Sequence, residues 1–344
     1  MAQDAAPVAP LSHHVLLVFL LQVMTLLALA HGLGRLAARF GLPSVVGELM
    51  AGLLLGPSLL GEAAPQVAGW LLPADPGQMH LLDAVGQLGV ILLVGLTGME
   101  MDLRLVRRRG LTAARISIAG VAVPVALGVG AGMLMPQSLL ADGGDRPVFA
   151  LFLGVALGVS AIPVAAKILI DMRLLHRNVG QLILAAATVD DAVGWLLLSV
   201  VSAMATTGVR GAEVAWSVAS VLGVAVFAVL VGRPLARLAV RAGGLAARCG
   251  GAGPGGGPAV AVAVLFLLAA AAGTHALGLE AILGAFVAGI LLGSAPGFEP
   301  CRLEPLRLVV LGVLAPVFFA TAGLRIDLTA LARPEVALTA VVML

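Results

Sequence analysis

Two adjacent carboxylates lie in the middle of an apolar stretch of the chain. Asp190 and Asp191 are the only charged residues in the run 180–206. Placing an ionised side chain at the centre of a bilayer costs about 2.5–3.5 kcal/mol on insertion scales, so such residues usually serve a function. A carboxylate at that depth can hold a cation or a proton, but hardly both at once. The pair therefore predicts a site at which a monovalent cation and a proton compete.

The helical geometry around the pair limits what each residue can do. Neighbours on a helix point about 100° apart, so both carboxylates cannot face one cavity squarely. We expect one of the two to be the ligand and the other to pair with a cationic partner. Thr188, one turn before Asp191, can add a hydroxyl ligand, although a helical threonine often bonds its own backbone instead.

A second interrupted segment is expected at the same depth. Pro163 lies within the apolar run 147–171 and removes a backbone donor, so regular helical bonding should fail before it, at Val159, Ser160, Ala161 and Ile162. Unwound backbone is tolerated in a membrane where it lines a cavity, and its freed carbonyls can bind a cation beside the half-helix ends. A purely structural proline kink is the alternative. On the first view, Ser160 joins the aspartates as a ligand.

Composition places these residues in a membrane. Of 344 residues, 60% are hydrophobic and 11% are charged, whereas a soluble domain has about 25% charged residues. We expect an all-α polytopic membrane protein that is not an enzyme and needs no cofactor. There are no basic and aromatic runs that would indicate nucleic-acid binding. Apolar spans of roughly 18–25 residues number eleven, at 14–34, 43–61, 80–101, 111–135, 147–171, 178–207, 213–232, 258–275, 278–294, 307–324 and, incompletely, 334–344.

The distribution of arginines predicts the orientation. With the amino terminus outside, the inner loops carry 15 basic residues and the outer loops four. This asymmetry favours a multi-pass protein of the cell membrane with that orientation. Signal-peptidase cleavage after Ala30 is an alternative that would reverse it. The two cysteines, Cys249 and Cys301, lack metal-site or redox-site spacing and should be reduced thiols on the cytosolic side.

Two motifs recur in the same order along the chain. The run 47–56 and the run 284–293 both read Gly-x-x-x-Ala-Gly-(Leu/Ile)-Leu-Leu-Gly, and 98–103 matches 323–328 at Gly, Asp and Leu. The predicted orientation makes the matching segments run in opposite directions, which is typical of inverted-topology transporters. The alternative is that small-residue motifs recur because membrane helices pack closely. We predict repeat one at about 14–207, a connecting helix and linker at 208–257, and repeat two from about 258, truncated at 344.

Four further charged residues are candidate partners of the site. Lys167 can offset the carboxylates or extend to the cytosolic interface. Glu48, Glu100 and Arg325 lie near helix ends. Glu100 and Arg325 occupy matching repeat positions, and a structural role is the alternative to gating.

The ordered set of motifs resembles the monovalent cation:proton antiporters, in the branch with Kef-type potassium efflux systems and plant cation/proton exchangers. The resemblance rests on the runs 45–61, 86–103, 158–175 and 315–328, together with 190–191. It implies an inverted-repeat antiporter fold of thirteen helices with discontinuous helices, of which about eleven are present here. It also implies a homodimer in the lipid bilayer that exchanges Na⁺ or K⁺ for H⁺ by alternating access.

In that family the position of Asp191 is the main ion and proton carrier, and the aspartate at position 190 resembles electrogenic members. A cation channel, a non-transporting sensor and an inactive truncated fragment that retains the fold are the alternatives. A channel would conduct cations without coupling them to protons.

Overall fold

The structure is a computed structural model whose described part is entirely helical wherever it has regular secondary structure. It describes residues 11–73, 75–101, 110–136, 145–158, 161–206, 219, 223–242, 245, 257–333, 336–337 and 339–340. Within these ranges, eight segments are long and apolar enough to cross a membrane. The prediction of an all-helical polytopic membrane protein is confirmed.

Thirteen helices are numbered in chain order. They are α1 (His13–Arg39), α2 (Ser44–Leu55), α3 (Leu60–Ala63), α4 (Pro65–Leu71), α5 (Pro76–Met99), α6 (Gly110–Leu134), α7 (Arg146–Gly158), α8 (Ile162–Asp171), α9 (Asn178–Thr206), α10 (Gly223–Ala242), α11 (Gly257–Ala276), α12 (Ala281–Gly293) and α13 (Pro300–Leu324). Nine of the eleven predicted spans coincide with these helices, and a tenth, 213–232, overlaps α10 from Gly223 onward. The predicted span 334–344 is helical at the four residues described there.

Local signals in the sequence account for the first helix boundaries. The hydroxyl of Ser12 accepts a hydrogen bond from the N–H of Val15 at 3.3 Å, which caps the start of α1. After α1, Gly41 adopts a positive φ of 76°, a conformation that glycine takes without steric cost. Pro43 then occupies the N-cap position of α2. The turn between the two helices is therefore encoded locally.

The connecting helix α10 ends later than predicted. The sequence placed its end at residue 232, but the helix continues to Ala242. Its last part carries exposed arginines at every fourth position, Arg233, Arg237 and Arg241, while Ala236 and Val240 are buried. Such an amphipathic helix is invisible to a search for uniformly apolar runs, because that search stops at the first arginine.

One compact unit comprises residues 1–89 and 313–330. Its core is formed by buried side chains of α1, α2, α5 and α13, namely Leu26, Ala30, Ala51, Leu55, Leu82, Ala320 and Leu324. The α2 and α13 backbones touch: a Cβ atom built on Gly323 would lie 3.1 Å from the Cα atom of Gly52. Gly47 of α2 packs in the same way against the backbone of Leu33 in α1.

The second unit, residues 90–312 and 331–344, contains the same close approach at equivalent positions. A Cβ atom built on Gly289 of α12 would lie 3.1 Å from the Cα atom of Gly98 in α5. Gly284 packs against the backbone of Ala270 in α11. Gly284 and Ala270 each lie 237 positions after their counterparts in the first unit, Gly47 and Leu33. The repeated motif therefore makes the same kind of helix contact twice.

The prediction of reduced cysteines was wrong for Cys301, which is disulfide-bonded in the structure. Cys249 lies outside the described residues. Disulfide formation requires two Cβ atoms to come within about 4.5 Å of each other, and sequence spacing carries no information about that approach.

Candidate functional site

The interrupted segment is present as two helices in line along the chain. Helix α7 ends at Gly158 and α8 begins at Ile162, with Pro163 in its first turn. Between them, Ala161 is extended, with φ −72° and ψ 113°. Val159 and Ser160 lie outside the described residues. Ile162 and Pro163, which were predicted to lie in the break, are instead the first two residues of α8. Of the predicted residues described here, only Ala161 lies outside the helices.

Asp191 lies at this helix end. Its Oδ2 atom accepts a hydrogen bond from the backbone N–H of Ile162 at 3.2 Å. That N–H has no partner inside α8, because the first four N–H groups of any helix lack one. The partial positive charge of the helix terminus also favours an anion at this place. The break and the carboxylate thus form one site, built from α8 and α9.

Asp190, on α9, is hydrogen-bonded by a residue of α6. The hydroxyl of Ser117 donates a hydrogen bond to its Oδ1 atom, and both side chains are buried. The partner found here is a hydroxyl group, and the cationic partner expected for one of the two aspartates stays a prediction. A serine inside an apolar segment was a signal that could have drawn attention to Ser117, but its pairing with a residue 73 positions away could not be inferred.

The hydroxyl of Thr188 is bonded within its own helix. It donates to the carbonyl oxygen of Leu184 at 2.8 Å, which is the alternative considered for a helical threonine. Its role as an ion ligand stays a prediction.

Sequence reasoning missed Gln181 near the start of α9, whose amide donates to the carbonyl oxygens of Leu175 at 2.7 Å and Glu100 at 3.0 Å.

Two of the predicted charge partners are buried. The ammonium group of Lys167 lies 3.4 Å from a carboxylate oxygen of Asp171, one turn further along α8, and its side chain is 6% exposed. It therefore does not extend into solvent. Glu48 in α2 accepts a hydrogen bond from the hydroxyl of Ser44 at 3.0 Å.

The other two charge partners form ion pairs near helix ends. Glu100 follows α5, and its carboxylate lies 2.6 Å from the guanidinium of Arg307 and 3.6 Å from the imidazole of His176. Arg325, at the matching repeat position, pairs with Asp83 at 2.6 Å. The two positions thus carry opposite charges with different partners.

Comparison with known proteins identifies the family. The family model described as "Sodium/hydrogen exchanger, transmembrane" matches residues 24–344. The chain is 32% identical over 312 residues to cation/H⁺ antiporter 17 of Arabidopsis thaliana, covering 91% of this chain and 37% of that protein. It therefore spans a little over a third of the length of this plant relative.

A bacterial relative and a solved structure extend the comparison. The chain is 30% identical to the Na⁺/H⁺ antiporter NhaS4 of Synechocystis sp., covering 93% of this chain and 76% of that protein. It is also similar to the structure of the sodium proton antiporter MjNhaP1 from Methanocaldococcus jannaschii, with a TM-score of 0.59, 18% identity and coverage of 96% and 76% of the two chains. That likeness confirms the predicted antiporter fold. The chain is a multi-pass membrane protein that belongs to the sodium/hydrogen exchanger family.

Proposed function

We propose that this protein exchanges a monovalent cation, Na⁺ or K⁺, for H⁺ across the membrane by alternating access at the Asp190–Asp191 pair. The observation that carries the proposal is the position of Asp191, whose carboxylate meets the amino-terminal end of the half-helix α8. The names of the relatives, which include Na⁺/H⁺ and K⁺/H⁺ antiporters, agree with this substrate class.

The chemistry of exchange follows from the number of acceptor positions on a carboxylate. An ionised carboxylate has about four lone-pair sites on two oxygens, so the N–H of Ile162 on Oδ2 leaves capacity for a further ligand. A bound cation or a bound proton each neutralises Asp191, and neutralisation lowers the cost of holding the site away from water. Because one carboxylate serves both, loading one ion requires release of the other.

The half-helix contributes an electrostatic element to the same site. The N–H of Ile162 and the partial positive charge of the start of α8 stabilise the ionised form of Asp191 between the two loading events. Because Pro163 has no N–H to donate, we propose that backbone carbonyl groups ahead of it add further oxygen ligands for a cation.

The setting proposed for the exchanger comes from the sequence. We place the protein in the cell membrane as a homodimer surrounded by lipid, with its amino terminus outside. The 15-to-4 distribution of basic residues between inner and outer loops supports this orientation. The two repeats that we propose are residues 14–207 and the residues from 258 onward, joined by a connecting helix and linker at 208–257.

The decisive experiment replaces Asp191 with asparagine, which keeps the size of the side chain but cannot become ionised. In everted vesicles carrying the complete gene product, Asp191→Asn should abolish the dissipation of a proton gradient by added Na⁺ or K⁺. The matched control is Asp145→Asn, because Asp145 is exposed at the start of the segment that contains α7. Full exchange activity in Asp191→Asn would refute the site.

Purified protein in proteoliposomes distinguishes an exchanger from a channel. An imposed cation gradient should drive proton movement in the opposite direction, and the Asp191→Asn variant should lose it. Cation conductance without proton movement would instead indicate a channel. The absence of both movements in the wild-type protein would favour a non-transporting role.

A further inference from the structure

We propose that Ser117 is a positioning residue of the exchange site, which holds Asp190 in place through its hydroxyl in both protonation states of that carboxyl group. The inference rests on the proposed function of the aspartate pair. It assigns a role to α6, the helix that neither the motifs nor the helix break had connected with the site.

The contact is enclosed on both sides. Ser117 is 3% exposed and Asp190 is 7% exposed, and the hydroxyl bonds directly to Oδ1. A polar group buried at this level is costly unless it finds a partner, so each residue depends on the other. The bond links α6 to the middle of α9, where the two aspartates are neighbours.

Gly120 completes the contact from the same helix. It lies three residues after Ser117, and a Cβ atom built on it would lie 3.5 Å from Oδ2 of Asp190, which is ordinary van der Waals contact. An alanine therefore fits at this position, whereas a branched side chain would enter the space of the carboxylate. Helix α6 thus faces both oxygens of Asp190, with a hydroxyl beside one and a glycine beside the other.

The choice of a hydroxyl has a chemical consequence. A serine hydroxyl donates one hydrogen bond and accepts others, and it rotates freely between these roles. It can donate to ionised Asp190 and accept from protonated Asp190 without movement of the backbone. A lysine or arginine partner could only donate, and would therefore favour the ionised form alone. Ser117 consequently keeps Asp190 fixed while the charge of the pair changes.

The first test compares three variants by transport kinetics. Ser117→Ala should raise the KM for the cation about tenfold or more, because a buried carboxylate loses its hydrogen bond. Ser117→Thr keeps the hydroxyl and should restore most of the affinity. Ser294→Ala is the matched control, since Ser294 is exposed and its hydroxyl donates to a nearby carbonyl oxygen, that of Leu291. Equal loss in Ser117→Ala and Ser117→Thr would overturn the role of the hydroxyl.

A steric comparison addresses Gly120 separately. Gly120→Ala should retain exchange, whereas Gly120→Val should reduce it while the purified protein still elutes as a folded species. Normal exchange in a folded Gly120→Val variant would show that this face of α6 does not confine Asp190.

The second test asks whether Ser117 acts through Asp190. In an Asp190→Ala background, Ser117→Ala should cause a much smaller further change in KM than it does in the wild type, because the oxygen atom that accepts the hydroxyl hydrogen bond is already gone. Additive effects would indicate a role unrelated to Asp190. If Asp191→Asn abolishes exchange but Ser117→Ala behaves as wild type, the Ser117 proposal fails and the exchange site stands.

A spectroscopic measurement keeps the inference testable even if the protein does not transport. Infrared difference spectra across a pH step should contain a carboxylic C=O band that disappears in Asp190→Asn. Ser117→Ala should move that band to higher frequency, because the protonated carboxyl group loses the hydroxyl oxygen that accepts its O–H hydrogen bond, and Ser117→Thr should leave it near its original position. An unchanged band in Ser117→Ala would overturn the proposal.

Discussion

The glycine contact between α12 and α5 offers a sharp test of the packing. In Gly289→Ala, the added Cβ atom would overlap the carbonyl oxygen of Gly95, and it would lie 3.0 Å from the carbonyl carbon of Gly95 and 3.1 Å from the Cα atom of Gly98. All three are backbone atoms, so no side-chain rotation can relieve the overlap. The helices must separate, because carbon atoms normally approach each other to about 3.5–4.0 Å.

The expected size of the effect follows from two opposing contributions. Overpacking a tight contact typically costs about 1–3 kcal/mol, and a clash with backbone belongs at the upper end of that range. Replacing a helical glycine with alanine stabilises the helix itself by about 1 kcal/mol, because alanine has the higher helix propensity. The net loss is therefore about 2 kcal/mol. In a thermal unfolding experiment on a chain of 344 residues this corresponds to a decrease of about 3 °C.

The assay is thermal unfolding of the purified protein in detergent, followed by the loss of the folded peak in size-exclusion chromatography. Gly273→Ala is the matched control, because Gly273 is a helical glycine of α11 with no atom within 4 Å of a built Cβ. That variant should be as stable as the wild type or more stable. If Gly289→Ala and Gly273→Ala unfold at the same temperature, the close contact of α12 with α5 is refuted.

Two ion pairs give the remaining predictions. Glu100→Gln should destabilise the protein by about 1–3 kcal/mol, because the partly buried Arg307 loses its carboxylate partner. The control is Glu304→Gln, at an exposed residue whose negative charge repels that of Glu100. This variant should be neutral or slightly stabilising in the same unfolding assay. The Asp83–Arg325 pair is more exposed, so a double-mutant cycle with Asp83→Asn and Arg325→Gln should give a coupling energy below about 1 kcal/mol. A coupling energy well above that value would mean that the pair is shielded from water.

Much of the fold could be predicted from the sequence, because it depends on transfer of side chains into lipid. Apolar runs long enough to span a bilayer are recognisable without knowledge of their neighbours. The repeated glycine motif was also visible, since close helix contact requires small residues at fixed positions. The break before Ile162 followed from Pro163 alone, because a proline disrupts helical bonding through its own ring. The end of α10 beyond residue 232 was missed because its polar and apolar faces alternate within each turn.

The candidate site was only partly accessible to the same reasoning. Asp191 was recognised by its cost in lipid, and the structure adds the N–H of Ile162 that it meets. The pairing of Ser117 with Asp190, and that of Lys167 with Asp171, depend on how the side chains orient. The disulfide of Cys301 had no local signal at all.

The sequence by itself therefore determined which segments are helical and span the membrane, where one helix breaks, and which acids carry an unusual cost. Those properties arise from each segment's own interaction with lipid and with its own backbone. Only the tertiary structure decided which partner each buried polar group has, because hydrogen bonds and ion pairs act over a few ångströms. Residues as far apart in the chain as Ser117 and Asp190 come within that range only after the helices have packed.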